Sequence, residues 1–344
     1  MISRRAFNSM TVAASLAAVS ATASHVATPA VARDTDTLGT YDVSAVSFPS
    51  SSETIVGRLL TPGTDGLHPA VVIMGPVAFV KEQSPVQYAT RLAARGLAVL
   101  IFDPRYHGES SGTPRRFESG KAKIQDYSAA IDYLAARDDI DANRIHLLGI
   151  CQGVNWAIEA SVRDVRVNSL GLVAGHYLTS ETAELYLGDK PTIKARLARA
   201  AKAAAKFAKT GEVDYIPIVG SETALLTAKA IADWYLPWDN GAPWLTFRGG
   251  WENRITAMSE ADIWGWRIDE TAPNLKLPVL MIHGDRAASG KDIPRRIYNE
   301  IASAQKKLHW INGTNQLQFY EDPMVIDMAV NALAPHFLGS GTHL

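Results

Sequence analysis

The sequence predicts an α/β fold: a doubly wound, mostly parallel sheet with an inserted helical cap. Three observations lead there. Short runs rich in β-branched residues are apolar at every position, as strands buried on both faces of a parallel sheet must be. Helical patterns separate these runs, which is the alternation of successive β-α-β units. One long stretch breaks the alternation and has its own composition. The 344 residues, 47% hydrophobic and 20% charged, suffice for a sizeable core and exclude wholesale disorder. Lys and Arg number 34 against 35 Asp and Glu, a net charge of −1, so nucleic-acid binding has no electrostatic footprint. A single Cys excludes an intramolecular disulfide framework.

The elements follow in order. Residues 1–32 read as an export signal: Ser3-Arg4-Arg5-Ala6-Phe7, a mildly apolar run from Met10 to about Ala23, then small residues ending Ala30-Val31-Ala32. The paired arginines followed by Ala-Phe resemble a twin-arginine signal, which implies export in a folded state to the periplasm or the medium. The apolar run is too short and too broken by Ser and Thr to be a stable membrane anchor. Beyond it, 32 basic residues face 35 acidic ones, a net −3. The apolar runs are Ala70-Val71-Val72-Ile73-Met74, Ala98-Val99-Leu100-Ile101-Phe102, Ile145-His146-Leu147-Leu148-Gly149-Ile150, Leu170-Gly171-Leu172-Val173, Val279-Leu280-Met281-Ile282 and Leu308-His309-Trp310-Ile311. Helical patterns cover 86–95, 124–136, 154–162 and 292–304.

Residues 192–209 are rich in Ala, Lys and Arg and read as an amphipathic helix. An aromatic segment follows, with Trp234, Tyr235, Trp238, Trp244, Trp251, Trp264 and Trp266. We therefore expect a core of residues 33–176 and 271–344 and a helical cap of residues 177–270. Most of these aromatics are expected between cap and sheet, with one or two left to line a pocket for an apolar or aromatic substrate.

The third run leads directly into Gly149-Ile150-Cys151-Gln152-Gly153 and a helix. Gly-x-nucleophile-x-Gly at a strand–helix junction is a nucleophile elbow. Its glycines leave room for a sharp turn that lifts the nucleophile from the carboxyl edge of the sheet, where open α/β folds bind ligands. The helix N-terminus brings free N–H groups and partial positive charge, which favour the reactive thiolate of Cys151. A buried structural Cys is the competing reading.

Further landmarks surround the elbow. Val80-Lys81-Glu82-Gln83 follows the first run, and Asp103-Pro104-Arg105-Tyr106-His107-Gly108-Glu109-Ser110 the second. Thr113-Pro114-Arg115 and Asp126 come next, then Asn253-Arg254, and finally Phe319-Tyr320-Glu321-Asp322-Pro323. In order and spacing, over about residues 40–338, the chain resembles the α/β-hydrolase superfamily, in particular its bacterial dienelactone-hydrolase-like branch, which borders on Xaa-Pro peptidase-like acyl hydrolases.

The resemblance implies a nucleophile, a His that shuttles its proton and an acid that orients the His. Two of these parts, and the oxyanion loop beside them, depart from the pattern. Gln316 stands where the His belongs, and an amide cannot act as a general base. The acid position falls at Ala287 or Ala288; Asp285 lies too close to the strand end, and Asp292 reads as the N-cap of the next helix. The family's His-Pro-Gly-Gly-Gly oxyanion loop is here Gly75-Pro76-Val77-Ala78-Phe79, although the backbone N–H groups of Val77 and Gln152 remain available.

His176 follows the strand after the elbow helix and is the candidate substitute base; docking of the cap through backbone bonds is its alternative role. His107 and His283 read as structural. No spacing suits a metal site, and no Gly-rich loop suits a nucleotide, so neither metal nor cofactor is expected.

The candidate catalytic residues are thus Cys151, His176 and Gln316, with Val77 and Gln152 as oxyanion donors. The leading expectation is an acyl hydrolase or transferase acting on an ester, thioester, lactone or related carbonyl compound. A non-hydrolytic lyase or isomerase and a catalytically silent binding protein are the alternatives on the same scaffold. The expected partner is a small apolar or aromatic carbonyl compound, not nucleic acid; nothing in the sequence specifies an oligomeric state. If the leader is read correctly, mass spectrometry of the exported protein finds an N-terminus near Arg33, and replacing Arg4 and Arg5 by Lys abolishes export; undiminished export would refute it.

Overall fold

The computed structural model describes residues 39–239 and 250–339. The expected export signal and Trp244 lie outside the described residues. The chain opens with two strands, β1 (Tyr41–Ser50) and β2 (Glu53–Pro62), then β3 (His68–Met74), α1 (Ser84–Ala93), β4 (Ala98–Phe102), α2 (Gly120–Ala135), β5 (Ile140–Ile150), α3 (Gly153–Arg163) and β6 (Val167–Val173). Next come α4 (Ser180–Leu187), α5 (Lys190–Thr210), β7 (Tyr215–Ile216), α6 (Lys229–Tyr235), β8 (Ile255–Thr256), α7 (Glu260–Gly265) and α8 (Ile268–Thr271). The chain closes with β9 (Val279–Arg286), α9 (Asp292–Glu300), β10 (Lys306–Asn315), α10 (Gln318–Glu321) and α11 (Pro323–Leu338).

Eight strands form one sheet in the order β1-β2-β4-β3-β5-β6-β9-β10. The β1–β2 and β2–β4 pairs are antiparallel and the others parallel. Each of the six apolar runs lies within one of the parallel strands. The two opening strands carry no such run: β1 alternates mostly exposed positions with buried Phe48 and Ser50. Between Val173 and Val279 no described residue joins this sheet; β7 and β8 pair only with each other.

Alternation along the central strands feeds two cores. Val71, Ile73, Val99, Ile101, Leu148, Ile150 and Val173 share one buried cluster with Tyr88 and Leu92 of α1 and Val330 and Leu333 of α11. Val72, Met74, Leu100, Leu147 and Leu172 share the other with Tyr127 and Ile131 of α2 and Ala157 of α3. The Val-Lys-Glu-Gln and Asp-Pro-Arg motifs meet at buried Lys81, whose Nζ lies 2.8 Å from Asp103 and 2.9 Å from Glu82 and also pairs with Glu109. One expectation is corrected: the N-cap of α9 is Lys291, with no side-chain cap bond, and Asp292 sits in the first turn, where its carboxylate still favours the positive helix end.

The turn from β5 to α3 is the tightest junction. A Cβ on Gly149 would lie 2.6 Å from the Val154 backbone, and one on Gly153 would lie 2.3 Å from the Met74 carbonyl oxygen and 2.7 Å from that of Gly75. The obstacles are backbone atoms, so neither can rotate away. Gly153→Ala is expected to destabilise the protein by about 3 kcal/mol or more, at the upper end of overpacking costs; a denaturation midpoint within error of wild type would show that the turn relaxes.

Candidate active site

The elbow holds Cys151 at φ +55°, a left-handed conformation that costs a non-glycine residue about 1–2 kcal/mol. Backbone bonds hold it there: its N–H donates to the Val173 carbonyl (3.0 Å), and its carbonyl accepts from the His176 N–H (3.1 Å). The polar neighbours of the sulfur that favour its anion are the Tyr320 hydroxyl, the Gln152 and Val77 N–H groups, and the Gln316 side chain. The two oxyanion donors expected from sequence, Val77 and Gln152, are both among them.

Burial opposes the thiolate that the helix N-terminus favours. Cys151 is only 6% exposed, and burial pushes its pKa up to about 11 despite these polar neighbours. Desolvation of the anion outweighs them.

Gln316 is fixed at both ends. Its Oε1 accepts from the Ala288 N–H at 2.8 Å, at the position where the family's acid was sought. Its Nε2 donates to the Ala174 carbonyl at 2.9 Å and to the Tyr320 hydroxyl at 2.7 Å. The Tyr320 hydroxyl in turn bonds to the sulfur. The result is a chain of oriented dipoles, amide to phenol to thiol, with no group that titrates near neutrality: burial, first of all, raises the Tyr320 pKa well above the ordinary phenol value. Tyr88 Oη donates to the Phe319 carbonyl at 2.8 Å and so anchors the turn that carries Tyr320.

His176 is buried under the segment that follows β6. Its ring packs against Tyr186 (centroids 4.7 Å apart) and edge-on to Trp264 (6.4 Å). Its Nε2 has no hydrogen-bond partner, it is not among the groups bonded to the sulfur, and burial lowers its pKa to about 4. His283 bonds to the Gly175 and Gly284 carbonyls, and His107 to that of Arg105. Asp285 accepts from the Gly313 N–H at 2.6 Å.

On the other side of the sulfur, the loop 75–79 turns at Ala78, φ +51°. The Ala78 N–H donates to Glu118 Oε2 at 3.0 Å. Glu118 is fully buried and pairs with Lys123, itself placed over the Phe79 ring at 5.1 Å.

The family model described as the alpha/beta hydrolase fold matches residues 85–313. The chain belongs to this family. Uncharacterized protein PA2218 of Pseudomonas aeruginosa is 31% identical over 266 residues, covering 74% of this chain and 68% of that protein. The crystal structure of that protein matches with a TM-score of 0.70 at 26% identity, over 86% of this chain and 94% of that one. Uncharacterized protein YcjY of Escherichia coli K12 is 26% identical over 290 residues, 78% of this chain and 87% of that protein. A thiohydrolase, aneE of Aspergillus aculeatus, is 36% identical over 111 residues, 32% of this chain and 34% of that protein.

For this hydrolase-fold chain, two residues at the site escaped sequence reasoning. Tyr320 stood only as a landmark, although its spacing of four from Gln316 puts both on one side of a helical turn. Glu118 carries no local signal. Of the cap aromatics, Trp251 and Trp264 are buried, whereas Trp234 and Trp238 line a cavity of about 780 Å³ that Tyr320 also borders. Among the described residues, no group of three or more His, Cys, Asp or Glu could hold a metal ion, and no helix is long and apolar enough to cross a membrane.

Because burial raises the Cys151 pKa to about 11, alkylation by iodoacetamide is expected to accelerate about tenfold per pH unit up to pH 10, where an ordinary thiol of pKa about 8.5 levels off. Tyr320→Phe removes a bond that lowers the thiol pKa, so it slows alkylation at fixed pH. A plateau near pH 8.5 would contradict the burial argument.

Proposed function

We propose that the protein is an acyl-transfer enzyme that takes an acyl group from a thioester or similarly activated carbonyl compound onto Cys151. The observation that carries this reading is the convergence of the Val77 and Gln152 N–H groups on a sulfur held at φ +55°. A carbonyl oxygen that enters this space develops negative charge beside two fixed donors, which is how such sites lower acyl-transfer barriers.

The absence of a titrating partner at the sulfur favours thioesters among the candidate substrates. The Cys151 sulfur forms a bond to the carbonyl carbon, the bond to the leaving sulfur breaks, and the thiol proton passes to the departing thiolate. The proton that Cys151 gives up is taken by the leaving thiolate, so the exchange needs no net proton acceptor. The Gln316–Tyr320 chain orients the thiol and holds no proton in transit. Deacylation by water does require a base, so the acyl group is expected to wait on Cys151 until an amine or thiol acceptor arrives. The name of the Aspergillus thiohydrolase supports the thioester choice, over the third of the chain that the two proteins share.

A second reading keeps its place because of the same missing base: a lyase, isomerase or silent binding protein that holds a carbonyl at the donors without attack. Intact-mass analysis separates the readings. With the N-acetylcysteamine thioester of benzoic acid, wild type is expected to gain one benzoyl group, Cys151→Ala none. The acyl-enzyme is expected to clear at least about tenfold faster with an added thiol than in water alone, because a thiolate attacks without a general base. No adduct, with substrate conversion unchanged in Cys151→Ala, would sink the covalent reading.

A further inference from the structure

Glu118 lies outside the nucleophile machinery, yet one carboxylate touches both walls of the oxyanion site. Its Oε2 accepts from the Ala78 N–H at 3.0 Å, and its Oε1 accepts from Gln152 Nε2 at 3.4 Å. The peptide unit between Val77 and Ala78 is thereby held at both ends: its N–H by Glu118, and its carbonyl by the Tyr235 hydroxyl, which donates at 3.5 Å. The clamp thus acts on the peptide unit next to the Val77 N–H, one of the polar groups that favour the Cys151 anion.

The clamp is needed because the loop lacks the glycines that would let it adopt this path freely. Ala78 sits at φ +51°, a conformation that a Cβ disfavours and that must be enforced from outside. Glu118 is itself fully fixed. Lys123 pairs with its Oε1 and lies over Phe79 of the same loop, its N–H donates to Ser259 Oγ at 2.9 Å, and His107 Nε2 lies 3.6 Å from its Oε2. No part of Glu118 reaches solvent.

We infer that Glu118 is the positioning residue of the oxyanion site, setting the Val77 and Gln152 N–H groups at the separation a tetrahedral intermediate needs. The inference rests on the acyl-transfer reading of Cys151, and its test keeps the two apart. Acylation of Cys151 by p-nitrophenyl acetate passes through an oxyanion: sulfur joins the acetyl carbon, p-nitrophenolate leaves, and the thiol proton goes to solvent. Alkylation by iodoacetamide displaces iodide and forms no oxyanion. In Glu118→Ala, acylation is expected to fall about 100-fold, as when one oxyanion donor is lost, while alkylation stays within about threefold of wild type. Glu118→Gln, which keeps an acceptor for the Ala78 N–H, is expected to retain acylation to within about tenfold.

A merely structural residue would lower both reactions together, and a folded Glu118→Ala protein with an unchanged ratio of the two rates would overturn the inference. Should Glu118→Ala fail to fold because it strands Lys123, the pair Glu118→Leu with Lys123→Met removes both the acceptor and the ion pair without leaving a buried charge, and the same ratio is read. A wild-type thiol that alkylates but never acylates would refute the reading of Cys151 alone. Amide exchange at Ala78, followed by NMR, then decides for Glu118: it is expected to quicken at least about tenfold in Glu118→Ala, in keeping with a lost hydrogen bond, and an unchanged rate would overturn the clamp.

Discussion

The contact on which the site depends is the approach of the β5–α3 turn to the end of β3. Gly153 lies so close to the carbonyls of Met74 and Gly75 that no side chain fits between them. That contact brings the elbow and the loop after β3 together, so two N–H groups from segments seventy-five positions apart point at one sulfur. The two cores on either face of the sheet hold the strands in the register this approach needs. A rigid, close-packed interior transmits such a constraint with little slack.

Around the sulfur, solvation and hydrogen bonding pull in opposite directions, and solvation wins. Polar neighbours favour the anion, yet exclusion of water raises the thiol pKa. The same enclosure would strengthen any charge that forms later on a substrate oxygen, because the donors are already in place and need no reorganisation. The site thus disfavours a standing charge and is prepared for a transient one. Gln316 fits that pattern: it accepts from Ala288 and donates to Ala174 and Tyr320, so every polar atom of the amide is used and none can change protonation.

What sequence reveals here follows burial. The six inner strands were legible because both faces of each are covered, which leaves an uninterrupted apolar run. The opening hairpin was not: β1 is mostly exposed, and its Ser, Asp and Pro content hides the strand. Gln316 was legible by its place before Phe319 and Tyr320, and the elbow by its glycines. The burial that raises the Cys151 pKa was not legible, since the helix terminus is visible in a sequence and the depth of burial is not. Asp292 was one position out because Lys291 carries no capping signature. Glu118 was invisible because its partners, Ala78, Gln152 and Lys123, come from three separate segments.

Tyr88, near the start of the domain, supports the backbone of Phe319, near its end, and so places the phenol of Tyr320 beside the elbow thiol. The reactive centre is consequently split across the whole length of the polypeptide. A ribosome must finish nearly the entire chain before the thiol meets its neighbours, so a nascent or truncated product carries Cys151 without the surroundings that mask it.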